Sequence, residues 1–108
     1  MVKVTFRTTA GRITAFSAEG HSGFASVGED IVCAGISVLI QTAVIGLCEV
    51  ASIGVSVVTD EGYLHCKLPE ALNEEQWHDG QIILQTLRKG LEAVDIEYEG
   101  FLTIKEVS

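Results

Sequence analysis

The chain has 108 residues, which is the size of one domain and enough to bury a core without disulfide bonds or a metal. Its hydrophobic share of 47% and charged share of 20% are ordinary for a globular protein and exclude a disordered chain. The formal net charge of −8 repels phosphate backbones, so we expect no direct nucleic-acid binding and a basic protein as partner.

The three cysteines are an odd and small number, so they predict free thiols in a reducing compartment rather than a disulfide framework. The first residues carry one positive charge and no apolar run, so we expect no secretory signal.

The chain opens with two predicted strands. Apolar and polar residues alternate from Val2 to Thr8, Ala10 and Gly11 supply a turn, and residues 12–19 form a second extended run. These segments predict a β-hairpin. The glycine-rich residues 20–28 that follow it predict a loop.

A helix is predicted from Asp30, whose side chain suits the N-cap position, to about Val50. Residues 31–48 carry no charge, which is borderline for a membrane span of about 20 residues. Polar residues interrupt this run and no basic cluster flanks it, so we interpret it as a buried core helix and expect no membrane partner.

The second half of the chain predicts another hairpin, a second helix and a last strand. Residues 55–59 and 63–68 predict a second hairpin, Asn73 and Gln76 form a capping-box pair before a helix of about 20 residues, and residues 101–107 predict a last strand. The order ββαββαβ predicts one α+β domain over residues 1–108, with a mainly antiparallel sheet of about five strands packed against two long helices.

The chemistry-bearing segment joins the first hairpin to the first helix. His21 follows the second strand, and Cys33 lies in the first turn of the helix capped by Asp30. Unpaired N–H groups and the positive end of the helix dipole favour a thiolate there, and they can stabilise an oxyanion. An imidazole near the thiol can take its proton, so the spacing favours a Cys–His acyl-transfer site, although lone cysteines in apolar helices are more often core residues.

A metal site is an alternative interpretation. The ligand types are present, but no paired ligand spacing is, and the adjacent His65 and Cys66 point to opposite faces of their predicted strand. We therefore expect no metal. We interpret Cys48 and Cys66 as packing residues.

The segment from Gly20-His21 through Gly28 to Asp30-Ile-Val-Cys33 and Ser37 resembles the ribosomal-processing cysteine protease (Prp) family. The resemblance extends over essentially the whole chain, including the small-residue helix after Cys33.

The resemblance implies a cytoplasmic homodimeric endopeptidase that needs no cofactor. Such enzymes remove a short N-terminal extension from the twenty-seventh protein of the bacterial large ribosomal subunit. The family's nucleophile corresponds to Cys33, its base to His21, and its supporting residues to Asp30 and Ser37. The substrate loop then contains the residues Gly20, Ser22, Gly23 and Gly28.

The sequence leaves three points open. Asp30 either orients His21 or only caps the helix, because its spacing from Cys33 is that of a cap. Ser37, one turn beyond Cys33, either forms a hydrogen bond near the site or is only a small residue that lets the helix pack closely. The alternative function is a non-catalytic ribosome-assembly or interaction module in which Cys33 is merely buried.

Overall fold

The computed structural model describes residues 1–21 and 30–108. The positions Ser22, Gly23 and Gly28 of the predicted substrate loop lie outside the described residues.

The described residues form five strands and two long helices in the predicted order. Their bounds are β1 Val2–Thr9, β2 Arg12–Glu19, α1 Ile31–Ile45, β3 Ser56–Asp60, β4 Tyr63–Lys67, α2 Glu74–Glu97 and β5 Leu102–Val107. A π-helical turn, Gly46–Val50, continues α1. The predicted α+β class is confirmed.

The strands form one mixed sheet in the order β3-β4-β2-β1-β5. The pairs β1–β2, β2–β4 and β3–β4 are antiparallel, and β1–β5 is parallel. The parallel pair arises because α2 carries the chain across the sheet before β5, so β5 runs in the same direction as β1. This arrangement brings the end of β2 beside the β3–β4 turn.

A β-bulge explains why apolar residues alternate less clearly in β2 than in β1. Arg7 pairs with Ala15, but Thr8 pairs with Ile13, so one residue of β2 is left unpaired at the bulge. The bulge lets Ile13 and Phe16 both be buried although they are three positions apart.

The core lies between the helices and one face of the sheet. Phe6 and Phe16 of the sheet and Leu84 and Leu91 of α2 are fully buried there. The predicted capping box of α2 is present, with Asn73 accepting from the N–H of Gln76 at 2.8 Å.

The prediction that α1 is a buried core helix is only partly correct. Val32, Ile36, Ile40 and Ala43 are buried, but only 28% of the most apolar stretch of Ile31–Val50 is buried. This helix is long and apolar enough to cross a membrane by length and composition, a test that core helices also pass. Its other face is exposed and carries large apolar side chains.

Candidate functional site

A cleft of about 230 Å³ lies between α1 and the ends of β2 and β4. It brings together residues that are far apart in sequence. The predicted nucleophile Cys33 and the predicted base His21 both line it. The other lining residues are Val2, Ala18, Glu19, Gly20, Ile36, Ser37, Ile40, Gln41, Gly62, Tyr63 and Leu64.

Cys33 is the third residue of α1, as the sequence predicts. Its side chain is half-buried and packs against the edge of the core while it lines the cleft. The alternative in which Cys33 is simply buried therefore does not describe this residue. The first turn of a helix carries the positive end of the helix dipole, which favours a thiolate over a thiol.

Asp30 is the N-cap of α1. Its Oδ1 atom accepts the backbone N–H of Cys33 at 2.9 Å, and the residue is only 5% exposed. The cap role is confirmed. Because the N–H of Cys33 donates to Asp30, this particular N–H is not an available donor for an oxyanion while the cap is intact.

Gly20 constrains the position of the backbone that carries His21. Gly20 has a φ of +93°, which favours glycine, and a Cβ placed on it would lie 2.4 Å from the carbonyl oxygen of Met1. Its N–H donates to the carbonyl of Gly62 at 2.8 Å. Gly20 therefore packs tightly between β1 and the β3–β4 turn, and His21 leaves the sheet from a fixed point.

Gly62 and Tyr63 join the cleft from the β3–β4 turn. The sequence predicts only a hairpin turn at Gly62, and it assigns neither Gly62 nor Tyr63 to the site. The signal that reveals them is the β2–β4 register, in which Glu19 pairs with Tyr63. This pairing is not readable from local sequence.

Ser37 lines the cleft one turn after Cys33, and its Oγ atom accepts from Nε2 of Gln41 at 2.8 Å. The hydroxyl therefore keeps its own hydrogen to donate. A side-chain hydrogen bond near the site is thus present at Ser37. Gln41, which shares its helical stripe, is a second polar residue of the cleft.

The other two cysteines differ from each other. Cys66 on β4 is buried, as predicted for a packing residue, and burial raises the pKa of its thiol to about 11, with the nearby Cys48 adding to the rise. The prediction that Cys48 also packs inside is wrong. It is exposed and lies in the π-helical turn that follows α1.

Residues 1–21 and 30–108 contain no group of three His, Cys, Asp or Glu side chains able to hold a metal ion. Cys66 faces the core, whereas its neighbour His65 is only half-buried and pairs with Ser17. The chemistry within reach of the cleft is that of a thiol, an imidazole, the carboxylate of Glu19, and hydroxyl or amide groups.

The chain matches the family model described as cysteine protease Prp over residues 1–103. It is 28% identical over 107 residues to the ribosomal processing cysteine protease Prp of Bacillus subtilis (strain 168), with 96% of each chain covered. The Staphylococcus aureus (strain Mu50 / ATCC 700699) protein of that name is 30% identical over 90 residues, which cover 82% of this chain and 81% of that one.

A crystal structure is similar over almost the whole length. It is that of an essential ribosomal processing protease Prp from S. aureus in complex with a covalently linked product peptide. The TM-score is 0.87 at 27% identity, covering 98% of this chain and 99% of that chain.

Proposed function

Because the chain belongs to the cysteine protease Prp family and is a cysteine protease, we propose that Cys33 is its nucleophile and His21 its general base. The observation that carries this proposal is that both side chains line one cleft, with Cys33 in the first turn of α1. A thiol and an imidazole facing one space are the two groups that covalent acyl transfer needs.

The proposed reaction has two steps. The imidazole of His21 takes the thiol proton, the Cys33 sulfur attacks the scissile carbonyl, and the same proton passes to the leaving amine as the C–N bond breaks. The acyl group is then held on sulfur as a thioester. In the second step His21 takes a proton from water, whose oxygen attacks the thioester, and the thiol is restored.

The proposed substrate is a ribosomal protein, the twenty-seventh of the large subunit, from which the enzyme removes a short N-terminal extension. Support comes from the relatives, which are named ribosomal processing proteases. The net charge of −8 also suits a basic substrate, since complementary charge speeds encounter. The cleft, at about 230 Å³, is smaller than typical ligand pockets and suits a short stretch of peptide.

We also propose that the enzyme acts in the cytoplasm as a homodimer. Free thiols suit a reducing compartment. The exposed face of α1 supports a second copy as partner, because exposed residues recur along it at the heptad spacing used where two helices pair. These residues are Ile31, Ala34, Val38, Gln41 and Ile45.

The test is cleavage of the purified precursor ribosomal protein, followed by mass spectrometry. The wild-type enzyme should release the N-terminal extension, and Cys33→Ala should not. Cys48→Ala, which removes an exposed thiol outside the cleft, is the matched control and should cleave like wild type. Cleavage by Cys33→Ala would overturn the assignment of the nucleophile, and no cleavage by the wild type would overturn the proposed substrate.

A further inference from the structure

The imidazole of His21 lies on the side of Gly62 to which a side chain would project. A Cβ placed on Gly62 would be 3.4 Å from Nε2 of His21 and 3.8 Å from its Cε1 atom. The first distance is already at the short end of ordinary van der Waals contact. Glycine at position 62 therefore leaves space that the ring edge uses, and any side chain longer than a methyl group would extend into the ring.

The β3–β4 turn cannot simply move away from the ring, because the same strand end that carries His21 is tied to it. The N–H of Gly20 donates to the carbonyl of Gly62 at 2.8 Å. The preceding residue, Glu19, is the ladder partner of Tyr63. The sheet thus holds the backbone of residue 62 at a fixed distance from the backbone of His21. A side chain at position 62 would therefore displace the imidazole rather than the backbone.

We propose that Gly62 is a positioning residue for His21: because it has no side chain, it leaves the space that the edge of the imidazole occupies in the cleft that Cys33 also lines. This inference depends on the proposed role of His21 as base. A base displaced by about 1 Å from its productive position can cost about a hundredfold in rate, so the size of residue 62 should control catalysis through His21 alone.

The chain offers a matched control for the backbone. Gly62 has a φ of +65° and Gly11, in the β1–β2 turn, has a φ of +78°, so both substitutions meet similar backbone strain. Among the described residues, no atom lies within 4 Å of the position that a Cβ on Gly11 would take. Asparagine tolerates this backbone region better than most residues, so Gly62→Asn and Gly11→Asn differ mainly in what the side chain meets.

The experiment compares peptide cleavage and the rate of Cys33 alkylation by iodoacetamide against pH, in Gly62→Asn, Gly11→Asn and His21→Ala. Gly62→Asn should lower kcat by about 10- to 100-fold and change the pH profile, while Gly11→Asn should stay within about twofold of wild type. The double variant His21→Ala/Gly62→Asn should alkylate at the rate of His21→Ala, because without the imidazole residue 62 has nothing left to displace.

The outcomes separate the two proposals. If His21→Ala cleaves like wild type, the proposed base fails. If His21→Ala is inactive but Gly62→Asn has the kcat of Gly11→Asn, only the role of Gly62 is overturned. That role is also overturned if Gly62→Asn lowers the alkylation rate equally in the presence and in the absence of His21. Should Gly62→Asn not fold, Gly62→Ala serves instead. Gly62→Ala should shift the NMR signals of the His21 ring protons, whereas Gly11→Ala should not.

Discussion

The Asp30 carboxylate illustrates how one buried side chain shapes the site. It caps α1 through the N–H of Cys33, which fixes the residue that carries the thiol. Asparagine caps as well as aspartate, so Asp30→Asn should keep both stability and most activity, whereas Asp30→Ala should lose about 1 kcal/mol of folding free energy. Urea unfolding and kcat measure the two effects. An Asp30→Asn enzyme as stable as wild type but far slower would contradict this expectation and would show that the carboxylate also orients His21.

The three thiols should react in a defined order. In the folded protein at pH 8, iodoacetamide should label Cys33 fastest and Cys48 more slowly, and it should leave Cys66 unlabelled, because Cys66 is buried and its pKa is raised to about 11. Peptide mass spectrometry after timed labelling measures this. Labelling of Cys66 as fast as Cys48 would contradict the packing.

The same raised pKa has a consequence for stability. The pKa of the Cys66 thiol is 9.0 in the unfolded chain, and burial raises it to about 11 in the folded protein. Its contribution to stability is therefore complete below pH 9 and declines as the pH rises from 9 towards 11. Urea unfolding over that range should show a decline that is weaker in Cys66→Ala.

At the level of elements, the junction of β1, β2 and the β3–β4 turn depends on Gly20. A Cβ there would meet the Met1 carbonyl oxygen at 2.4 Å. The backbone next to Met1 is held in place, because the N–H of Val2 donates a hydrogen bond to the carbonyl of Phe101. Gly20→Ala should therefore cost about 3 kcal/mol, from backbone strain and overpacking together.

The control for this prediction is Gly100→Ala. Gly100 has nearly the same φ, +94° against +93°, but no described atom lies near its Cβ position. It should cost only about 1 kcal/mol of strain. Thermal unfolding compares the two variants, and equal losses would show that the Met1 contact contributes nothing.

Local sequence predicted those features that depend on neighbouring residues. The order of strands and helices along the chain, both caps and the place of Cys33 in the first turn follow from alternation and capping residues within a few positions. The parallel β1–β5 pair, the bulge in β2 and the contact of Gly62 with His21 do not. They depend on which strands pair and in what register, and this is set by packing between segments far apart in the chain.

At the scale of the whole molecule, the exposed apolar face of α1 is the clearest sign of a partner. Val38 is 63% exposed in the middle of that face. A lysine there would place a charge in the proposed helix–helix seam, so Val38→Lys should convert the proposed homodimer to a monomer in sedimentation equilibrium. Val58→Lys is the control, because Val58 is 56% exposed on β3, away from α1. A dimer unaffected by Val38→Lys would place the interface elsewhere.

In the proposed mechanism Cys33 carries the acyl group during cleavage. Rapid acid quenching of enzyme mixed with the precursor peptide, followed by intact-mass and peptide mapping, tests this role most directly. We expect a covalent adduct with the mass of the N-terminal product less one water, located on Cys33 and absent from Cys33→Ala. An adduct on Cys48 or Cys66, or product formed by Cys33→Ala, would contradict it.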